Sequence, residues 1–220
     1  YLKNAKRLVD AAVLAGADAV KFQTHEVEDE ILPIEFTSPH FQAKGSDRLQ
    51  WVTRNMHATP LDEFWKPLQH YCEEEKNITF ISTPMSRKAA QKLDQLDVPF
   101  WKVGSADVQD YALLDFIAQT RKPLIISSGM VSLAELDEVV RYLNGREVQL
   151  AILYCISQYP APKETFNLGT LEYFQKKYPD VIIGFSDHSI GIELPLAAAR
   201  LGARIIEKHF SLSRDFWGPD

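Results

Sequence analysis

The strongest constraint on the fold is an alternation that runs along most of the chain. Short apolar or β-branched runs are separated by longer stretches with helical periodicity. Seven runs are predicted to be strands, at 19–24, 78–83, 100–105, 123–128, 149–155, 181–186 and 203–210. Helices are predicted at 61–76, 87–96, 112–120, 133–143, 167–177 and 192–201, several with Asp, Ser or Asn near the start. This order is typical of βα units around a parallel sheet, so we predict an α/β fold, a TIM (β/α)8 barrel.

The predicted barrel is short by one strand at the front and one helix at the back. A helix precedes the first predicted strand and none follows the last, whereas a closed barrel needs eight βα units. An open parallel edge exposes unpaired backbone groups, so we expect residues 1–220 to form one barrel domain that is completed in a longer protein. The stretch from 25 to 59 is too long for an ordinary loop, and we expect it to fold over the barrel mouth.

Composition excludes several classes of function. A net charge of −6 with no basic block argues against binding to nucleic acid or to an anionic membrane surface. Cys72 and Cys155 lie far apart without CxxC spacing, which argues against a disulfide framework or a zinc cluster and fits a reducing cytoplasm. The chain has no apolar run of about 18 residues, and we expect its first residues to form an amphipathic helix and not a signal peptide. We predict a cytoplasmic protein.

Polar residues occur where the predicted strands end, which is where parallel barrels build their active sites. The two-residue period of a strand puts Lys21 with Gln23 on one face, and likewise Ser186 with His188. Lys21 and Lys102 would be costly to bury without anions beside them. Hydroxyl groups that add neutral donors at these ends belong to Thr83, Ser105, Ser127 and Ser186. We therefore predict a site that binds anions.

Two histidines end neighbouring predicted strands. His188 and His209 are one βα unit apart in the sequence, so their imidazoles are expected to lie side by side. Two imidazoles with open coordination positions suit a divalent metal whose other ligands are water and substrate oxygens. Glu207 is expected to pair with an inward lysine, because a buried carboxylate needs a cation. His25 follows the first strand closely enough that lining the mouth and packing are both open.

Other residues near the strand ends are expected to be structural. Asp187 and Lys208 point to the face opposite the histidines. Cys155 sits in an apolar strand without a candidate base nearby in the sequence, so we assign it to packing. The aromatic residues of the 51–65 stretch, Trp51, Phe64 and Trp65, are expected to cover a helix or loop and not to form a platform for stacking a ligand.

The strand ends and their neighbours resemble the N-acetylneuraminate (sialic acid) synthase family. The matching segments, in order, are GADAVKFQTHEVED, FISTP, FWKVGSAD, KPLIISSGM, YCISQYPAP, GFSDHSIGIE, GARIIEKHF and WGPD. They cover essentially the whole chain, and SDH followed by EKHF and GPD is more specific than any single motif.

The resemblance implies roles for individual residues. His188 and His209 match the family's metal ligands, usually for Mn²⁺, with Mg²⁺ or Co²⁺ as substitutes. The positions that hold the phosphate and carboxylate of phosphoenolpyruvate match Lys21, Thr83, Lys102, Ser105, Ser127, Ser157 and Ser186. The positions that contact the sugar match Gln23, Asp107, Tyr159 and Asp220. Lys21, Lys102 and the two histidines are the implied catalytic residues.

The implied reaction is the condensation of phosphoenolpyruvate with an N-acetylated sugar such as N-acetylmannosamine. Carbon 3 of phosphoenolpyruvate attacks the metal-polarised aldehyde, water adds, and phosphate leaves by C–O cleavage. The family also implies a first-strand glutamate and an antifreeze-like C-terminal domain, both of which we expect to lie outside residues 1–220. It further implies a domain-swapped homodimer of the full-length protein. We therefore expect these residues alone to be inactive. Some relatives have Asn in place of Ser157 and Glu in place of Asp107, so the choice of sugar can differ.

Several functions stay open at this point. Synthases of N-acetylneuraminate, legionaminate and pseudaminate share these motifs. A barrel aldolase, or another phosphoenolpyruvate-dependent sugar acid synthase, is a second class. An aldolase that forms a Schiff base needs no metal, so a chelator and phosphate release would separate the two. A non-catalytic sugar-binding barrel is a third class, but the intact set of lysines, hydroxyls and histidines argues against it.

Overall fold

Two compact units make up the protein. The computed structural model describes residues 1–32, 48–213 and 215–216. One unit comprises Tyr1–Pro99 with the described residues after 210, and the other comprises Phe100–Phe210. In the described residues every strand pair is parallel, and helices connect the strands. The predicted α/β class with parallel strands is therefore confirmed, whereas closure into an eight-stranded barrel stays a prediction.

The first unit contains a two-stranded parallel sheet and the helices that pack on it. Strand β1 (Ala19–Thr24) pairs with β2 (Thr79–Pro84) in a register that places Gln23 beside Thr83. The helices are α1 (Leu2–Leu14), α2 (Val27–Glu30), α3 (Arg48–Ala58), α4 (Lys66–His70) and α5 (Arg87–Asp94). The turns Leu61–Trp65 and Tyr71–Glu75 on either side of α4 are π-helical. The helix predicted at 61–76 is thus present as one helical run.

An aromatic cluster forms the core of the first unit. Trp65 is 1% exposed, and its ring centroid lies 6.3 Å from that of Phe22 on β1 and 6.1 Å from that of Phe80 on β2. Leu68 and Cys72 on the same helical run are completely buried. Burial of these side chains removes apolar surface from water and fixes the helical run against the sheet. The structural role expected for Trp65 is confirmed.

The second unit contains a five-stranded parallel sheet in the order β3-β4-β5-β6-β7. Its strands are β3 (Trp101–Val103), β4 (Leu124–Ser127), β5 (Leu150–Cys155), β6 (Ile182–Asp187) and β7 (Ile206–Lys208). Its α-helices are α6 (Tyr111–Gln119), α7 (Leu133–Asn144), α8 (Gly169–Lys177) and α9 (Glu193–Arg200), with a 3₁₀ turn at Lys163–Thr165. Strand β5 is buried along its whole length, as a central parallel strand must be.

Local sequence signals explain where these elements begin and end. Ser132 caps α7 in a capping box with Glu135, and the side chains of Asp110 and Ser86 cap α6 and α5. The predicted strand boundaries hold within a few residues, except that β7 is shorter than the predicted 203–210 and ends before His209. No described helix is both long and apolar enough to cross a lipid bilayer.

Candidate active site

A row of polar side chains crosses the carboxyl ends of three neighbouring strands in the second unit. Cys155 on β5 is the register partner of Ser186 on β6, which in turn is the partner of Glu207 on β7. Register partners in a parallel sheet point to the same face. On the next step along the strands, Asp187 and Lys208 form an ion pair on the opposite face, as expected for structural residues.

Lys102 lies in a buried polar network. Its side chain is 4% exposed, and Nζ donates to Oγ of Ser127 at 2.8 Å and to the carbonyl oxygen of Val103 at 3.1 Å. Oε1 of Glu207 lies 3.8 Å from the same Nζ and accepts a hydrogen bond from Oγ of Ser186 at 2.7 Å. The expected pairing of Glu207 with an inward lysine is confirmed. The ammonium group is therefore held by a carbonyl of its own strand and by side chains from two other strands, β4 and β7.

The two histidines lie side by side, as their spacing in the sequence indicated. The ring centroids of His188 and His209 are 5.1 Å apart. The ring of Tyr159 lies 4.2 Å from that of His188 and 5.8 Å from that of His209. Tyr159 thus covers one side of the pair while remaining 41% exposed.

The donor set fits a divalent metal with two protein ligands. Nδ1 of His188 donates to the carbonyl oxygen of Ile156 at 2.7 Å, which leaves Nε2 as the nitrogen with a lone pair for a metal. A backbone acceptor behind a ligating imidazole is the usual way in which proteins fix its orientation. Among the residues that the structure describes, no third His, Cys, Asp or Glu joins them in a group that could hold a metal ion. Water and substrate oxygens would complete the coordination sphere.

Cys155 has polar neighbours that sequence analysis missed. Its burial is as expected, but Sγ lies 3.8 Å from Nδ1 of His188 and 3.6 Å from Oγ of Ser105. Burial alone would raise the pKa of the thiol, but contacts with His188, Ser105 and Ser186 lower that pKa below its ordinary value. His188 follows the next strand in the sheet, and no spacing near Cys155 in the sequence points to this contact.

The environment of Cys155 also acts on the imidazole. Burial lowers the pKa of His188, but the hydrogen bonds with Cys155 and the Ile156 carbonyl, with the charge of Glu207, raise it above its ordinary value. A metal bound at this ring would have to compete with the proton.

Gly129 allows three polar side chains to meet after β4. Its amide donates to Oγ of Ser105 at 3.0 Å. A Cβ atom at this position would lie 2.4 Å from Oγ of Ser157, 2.9 Å from Oγ of Ser105 and 3.0 Å from Sγ of Cys155. Among the described residues, Oγ of Ser157 is buried and makes no hydrogen bond, which fits a hydroxyl that binds a ligand. Gly129 was not among the predicted site residues, although its place directly after a predicted strand was a usable signal.

Two predicted site residues, Asp107 and Asp220, remain to be placed. Asp107 belongs to the turn that follows β3, where its amide donates to the carbonyl oxygen of Gly104 at 3.1 Å. Asp220 lies outside the described residues.

In the first unit, the predicted site residues stand at the ends of β1 and β2. Gln23 is exposed and Lys21 is half-buried two residues before it. Thr83, the register partner of Gln23, is 2% exposed, and its Oγ1 makes no hydrogen bond among the described residues. A buried hydroxyl of this kind is a candidate donor to a ligand. His25 is 7% exposed and contacts the carboxylate of Glu30, so it is a packed residue.

The first unit also has an open cavity away from these strand ends. It encloses about 720 Å³, and its lining includes Tyr1 and the α3 residues Arg54 and His57. None of the predicted site residues is among the described residues that line it.

Comparison with known proteins identifies the family. The family model described as "NeuB family" matches residues 8–220. N-acetylneuraminate-9-phosphate synthase of Homo sapiens is 34% identical over 100% of this chain and 60% of its own length. N,N'-diacetyllegionaminic acid synthase of Campylobacter jejuni is 32% identical over 100% of this chain and 66% of its own length.

A solved structure agrees with the sequence relatives. The N-acetylneuraminic acid synthetase of Leptospira borgpetersenii serovar Hardjo-bovis, in complex with citrate, matches with a TM-score of 0.83 and 30% identity over 97% of this chain and 69% of that protein. The chain spans about 60% of the length of relatives such as the human synthase. The motifs, the parallel sheets and these matches agree, and the chain belongs to the NeuB family.

Proposed function

We propose that the complete protein is a nonulosonic acid synthase. It condenses phosphoenolpyruvate with an N-acetylated sugar, such as N-acetylmannosamine, and releases phosphate. The names of the relatives support a product of the sialic, legionaminic or pseudaminic acid type. The eight-stranded barrel, the antifreeze-like C-terminal domain, the domain-swapped homodimer and the cytoplasmic location belong to the same proposal.

One observation carries this proposal: a buried ammonium group stands on the same sheet as a pair of imidazoles. Glu207 joins the Lys102 network to the histidine pair. It lies beside Lys102 and is followed two residues later by His209, and its register partner Ser186 is followed two residues later by His188. A reaction that joins an anionic phosphate ester to a sugar aldehyde needs a cation for the anion and a polarising group for the carbonyl. This arrangement supplies a place for both.

The residues of the second unit have different roles in the proposed reaction. Bound at His188 and His209, a divalent metal, Mn²⁺ or else Mg²⁺ or Co²⁺, supplies the Lewis acidity that polarises the sugar carbonyl. Lys102 holds the negative charge of phosphoenolpyruvate, and the hydroxyls of Ser105 and Ser127 donate to its oxygens. Ser157 and Ser186 add further donors at the same strand ends. Tyr159 and Asp107 contact the sugar.

The first unit contributes the residues at the ends of β1 and β2. Lys21 and Thr83 bind phosphoenolpyruvate in this proposal, and Gln23 binds the sugar. The exposure of Gln23 and the buried hydroxyl of Thr83 support these roles. Asp220 retains its role as a sugar contact by resemblance alone.

The decisive experiment is a phosphate-release assay on the complete protein. It contains phosphoenolpyruvate, Mn²⁺ and, one at a time, N-acetylmannosamine, its 6-phosphate and diacetamido sugars. Phosphate released together with a new keto acid supports the proposal, and the sugar that reacts identifies the product. Full activity after metal removal by a chelator would contradict the metal's role, and product formation without phosphate release would favour an aldolase.

A further inference from the structure

The acidic segment that follows β1 is held by an unusual number of contacts. Every carboxylate between residues 26 and 30 contacts a basic group or a backbone amide. The pairs are Glu26 with Lys92, Glu28 with Lys88, Asp29 with the backbone amide of Lys88, and Glu30 with both His25 and Arg48. The segment is thereby attached to both α3 and α5. The segment belongs to the stretch from 25 to 59 that was expected to fold over the barrel mouth, but no individual carboxylate in it was predicted to have a role.

Glu30 differs from the other carboxylates because it is buried. Its side chain is 4% exposed, whereas that of Glu28 is 87% exposed. Oε2 of Glu30 lies 2.8 Å from Nδ1 of His25, and Oε1 accepts from Nη2 of Arg48 at 3.1 Å. Burying a carboxylate is costly unless its oxygens are paired. Both oxygens of Glu30 are paired, so the contact with His25 is held in one geometry.

His25 connects this carboxylate to the end of β1. It directly follows the strand and is two residues beyond Gln23. The neighbouring Thr24 is fixed on the side of β2, where its Oγ1 lies 2.8 Å from Oγ of Ser82 and its carbonyl accepts from the amide of Met85 at 3.0 Å. The carboxyl end of β1 is therefore held by β2 on one side and by Glu30, through His25, on the other.

We propose that Glu30 is a positioning residue which, acting through His25, fixes the end of β1 for substrate binding. This inference rests on the proposed function, in which Lys21 and Gln23 on β1 bind phosphoenolpyruvate and the sugar. Misplacing a group that binds the substrate equally in the ground state and the transition state weakens binding and leaves the turnover of the bound complex nearly unchanged, so the effect is expected in KM. Loss of the Glu30 contact releases the strand end without removing either binding residue.

The test is Glu30→Gln in the complete protein. A glutamine keeps the shape of the glutamate but replaces one of its two oxygens with an NH2 group. This NH2 group then faces an N–H group of either His25 or Arg48, and that hydrogen bond is lost. We expect the KM for the sugar to rise about tenfold while kcat changes less than about twofold. Hydrogen exchange of the amides at 21–25 is expected to become faster, with the rest of the first unit unchanged.

The exposed Glu28 provides a matched control on the same segment. Glu28→Gln removes one carboxylate charge, as Glu30→Gln does, and is expected to leave KM and exchange at 21–25 unchanged. In the double variant Glu30→Gln/Arg48→Gln, the side-chain oxygen at position 48 can accept from the new amide NH2 at position 30. This double variant is expected to regain most of the lost affinity for the sugar. His25→Asn is expected to reproduce the effect of Glu30→Gln.

The outcomes separate this inference from the proposed function. An equal KM in Glu30→Gln and Glu28→Gln would overturn the positioning role. So would a Glu30→Gln variant whose KM is unchanged and whose kcat falls only in proportion to the fraction of unfolded protein. If the parent protein releases no phosphate with any sugar, the proposed function fails. Exchange then decides the positioning role: faster exchange confined to 21–25 in Glu30→Gln supports it, and equal exchange in the two variants overturns it.

Discussion

The two cysteines are both buried free thiols, yet their surroundings differ in kind. Cys72 lies in the apolar core beneath the sheet of the first unit, and burial, with the charge of Glu73 beside it, raises its pKa to about 12. Cys155 ends β5, and contacts with His188, Ser105 and Ser186 overcome the effect of burial and lower its pKa. Burial alone therefore does not tell whether a residue is structural. The position of the residue along its strand, and the side chains on neighbouring strands, decide it.

The comparison extends to the regions around the two thiols. The strand-end region around Cys155 contains charged and hydrogen-bonding groups held in fixed positions, whereas the region around Cys72 contains aromatic and aliphatic packing. We expect changes in the first region to alter the chemistry and changes in the second to alter stability.

The largest effect is expected from His209→Ala. The variant lacks one of the two imidazoles proposed to hold the metal, so turnover should fall below detection in the phosphate-release assay. Circular dichroism should show unchanged secondary structure, because His209 follows β7 and lies outside the buried core. Full activity in this variant would remove the basis for the metal site.

The pairing of these histidines illustrates what sequence could predict. The β/α period placed each strand within a few residues, because apolar runs and helix caps are local signals. It also brought His188 and His209 together, since neighbouring parallel strands end at the same edge of a sheet. The contact of Cys155 with His188 and the convergence of side chains at Gly129 escaped prediction, because they depend on side-chain directions across strands. The Glu30 contacts also escaped prediction, because they join α2 to α3 and to the residue after β1, and packing between such elements is not a local signal in the sequence.

A smaller effect is expected from Lys102→Met. Methionine fills much of the same volume but removes the ammonium group, leaving Ser127 and Glu207 without their shared partner. The loss of charge stabilisation in the transition state should lower kcat/KM by about 100- to 1000-fold. Steady-state kinetics with varied phosphoenolpyruvate measure it. A change below tenfold would show that Lys102 has a packing role, like the residues around Cys72.

The cysteines themselves give the most direct test of the comparison. Cys155→Ala is expected to lower kcat/KM about tenfold, because His188 then loses the second of its two contacts at Nδ1 and keeps only the Ile156 carbonyl. Cys72→Ala is expected to leave kinetics unchanged and to lower the free energy of unfolding by about 1–2 kcal/mol through a small cavity. Urea unfolding and steady-state kinetics on both variants measure the two effects. The reverse pattern would show that the environments have been assigned wrongly.

The smallest effect is expected at a surface carboxylate that belongs to neither region. Asp137 on α7 accepts a hydrogen bond from Oη of Tyr178 at 2.6 Å and pairs with Nζ of Lys177 at 2.9 Å, and these contacts lower its pKa below the ordinary 3.8. Because the folded-state pKa is depressed, the stabilisation is present above the unfolded pKa and is lost as the pH falls through the folded one. The pair is partly exposed and screened by solvent, so Asp137→Asn should cost only about 0.5 kcal/mol at pH 7.

Urea unfolding of the parent and Asp137→Asn at pH 7 and near pH 3 measures that difference. The two proteins should converge as the acid protonates Asp137, while turnover at pH 7 stays the same in both. A difference that grows towards low pH would reverse the sign of the proposed linkage. A change in turnover would mean that groups far from the strand ends also control the chemistry, and the distinction drawn between the surroundings of Cys155 and Cys72 would then be too sharp.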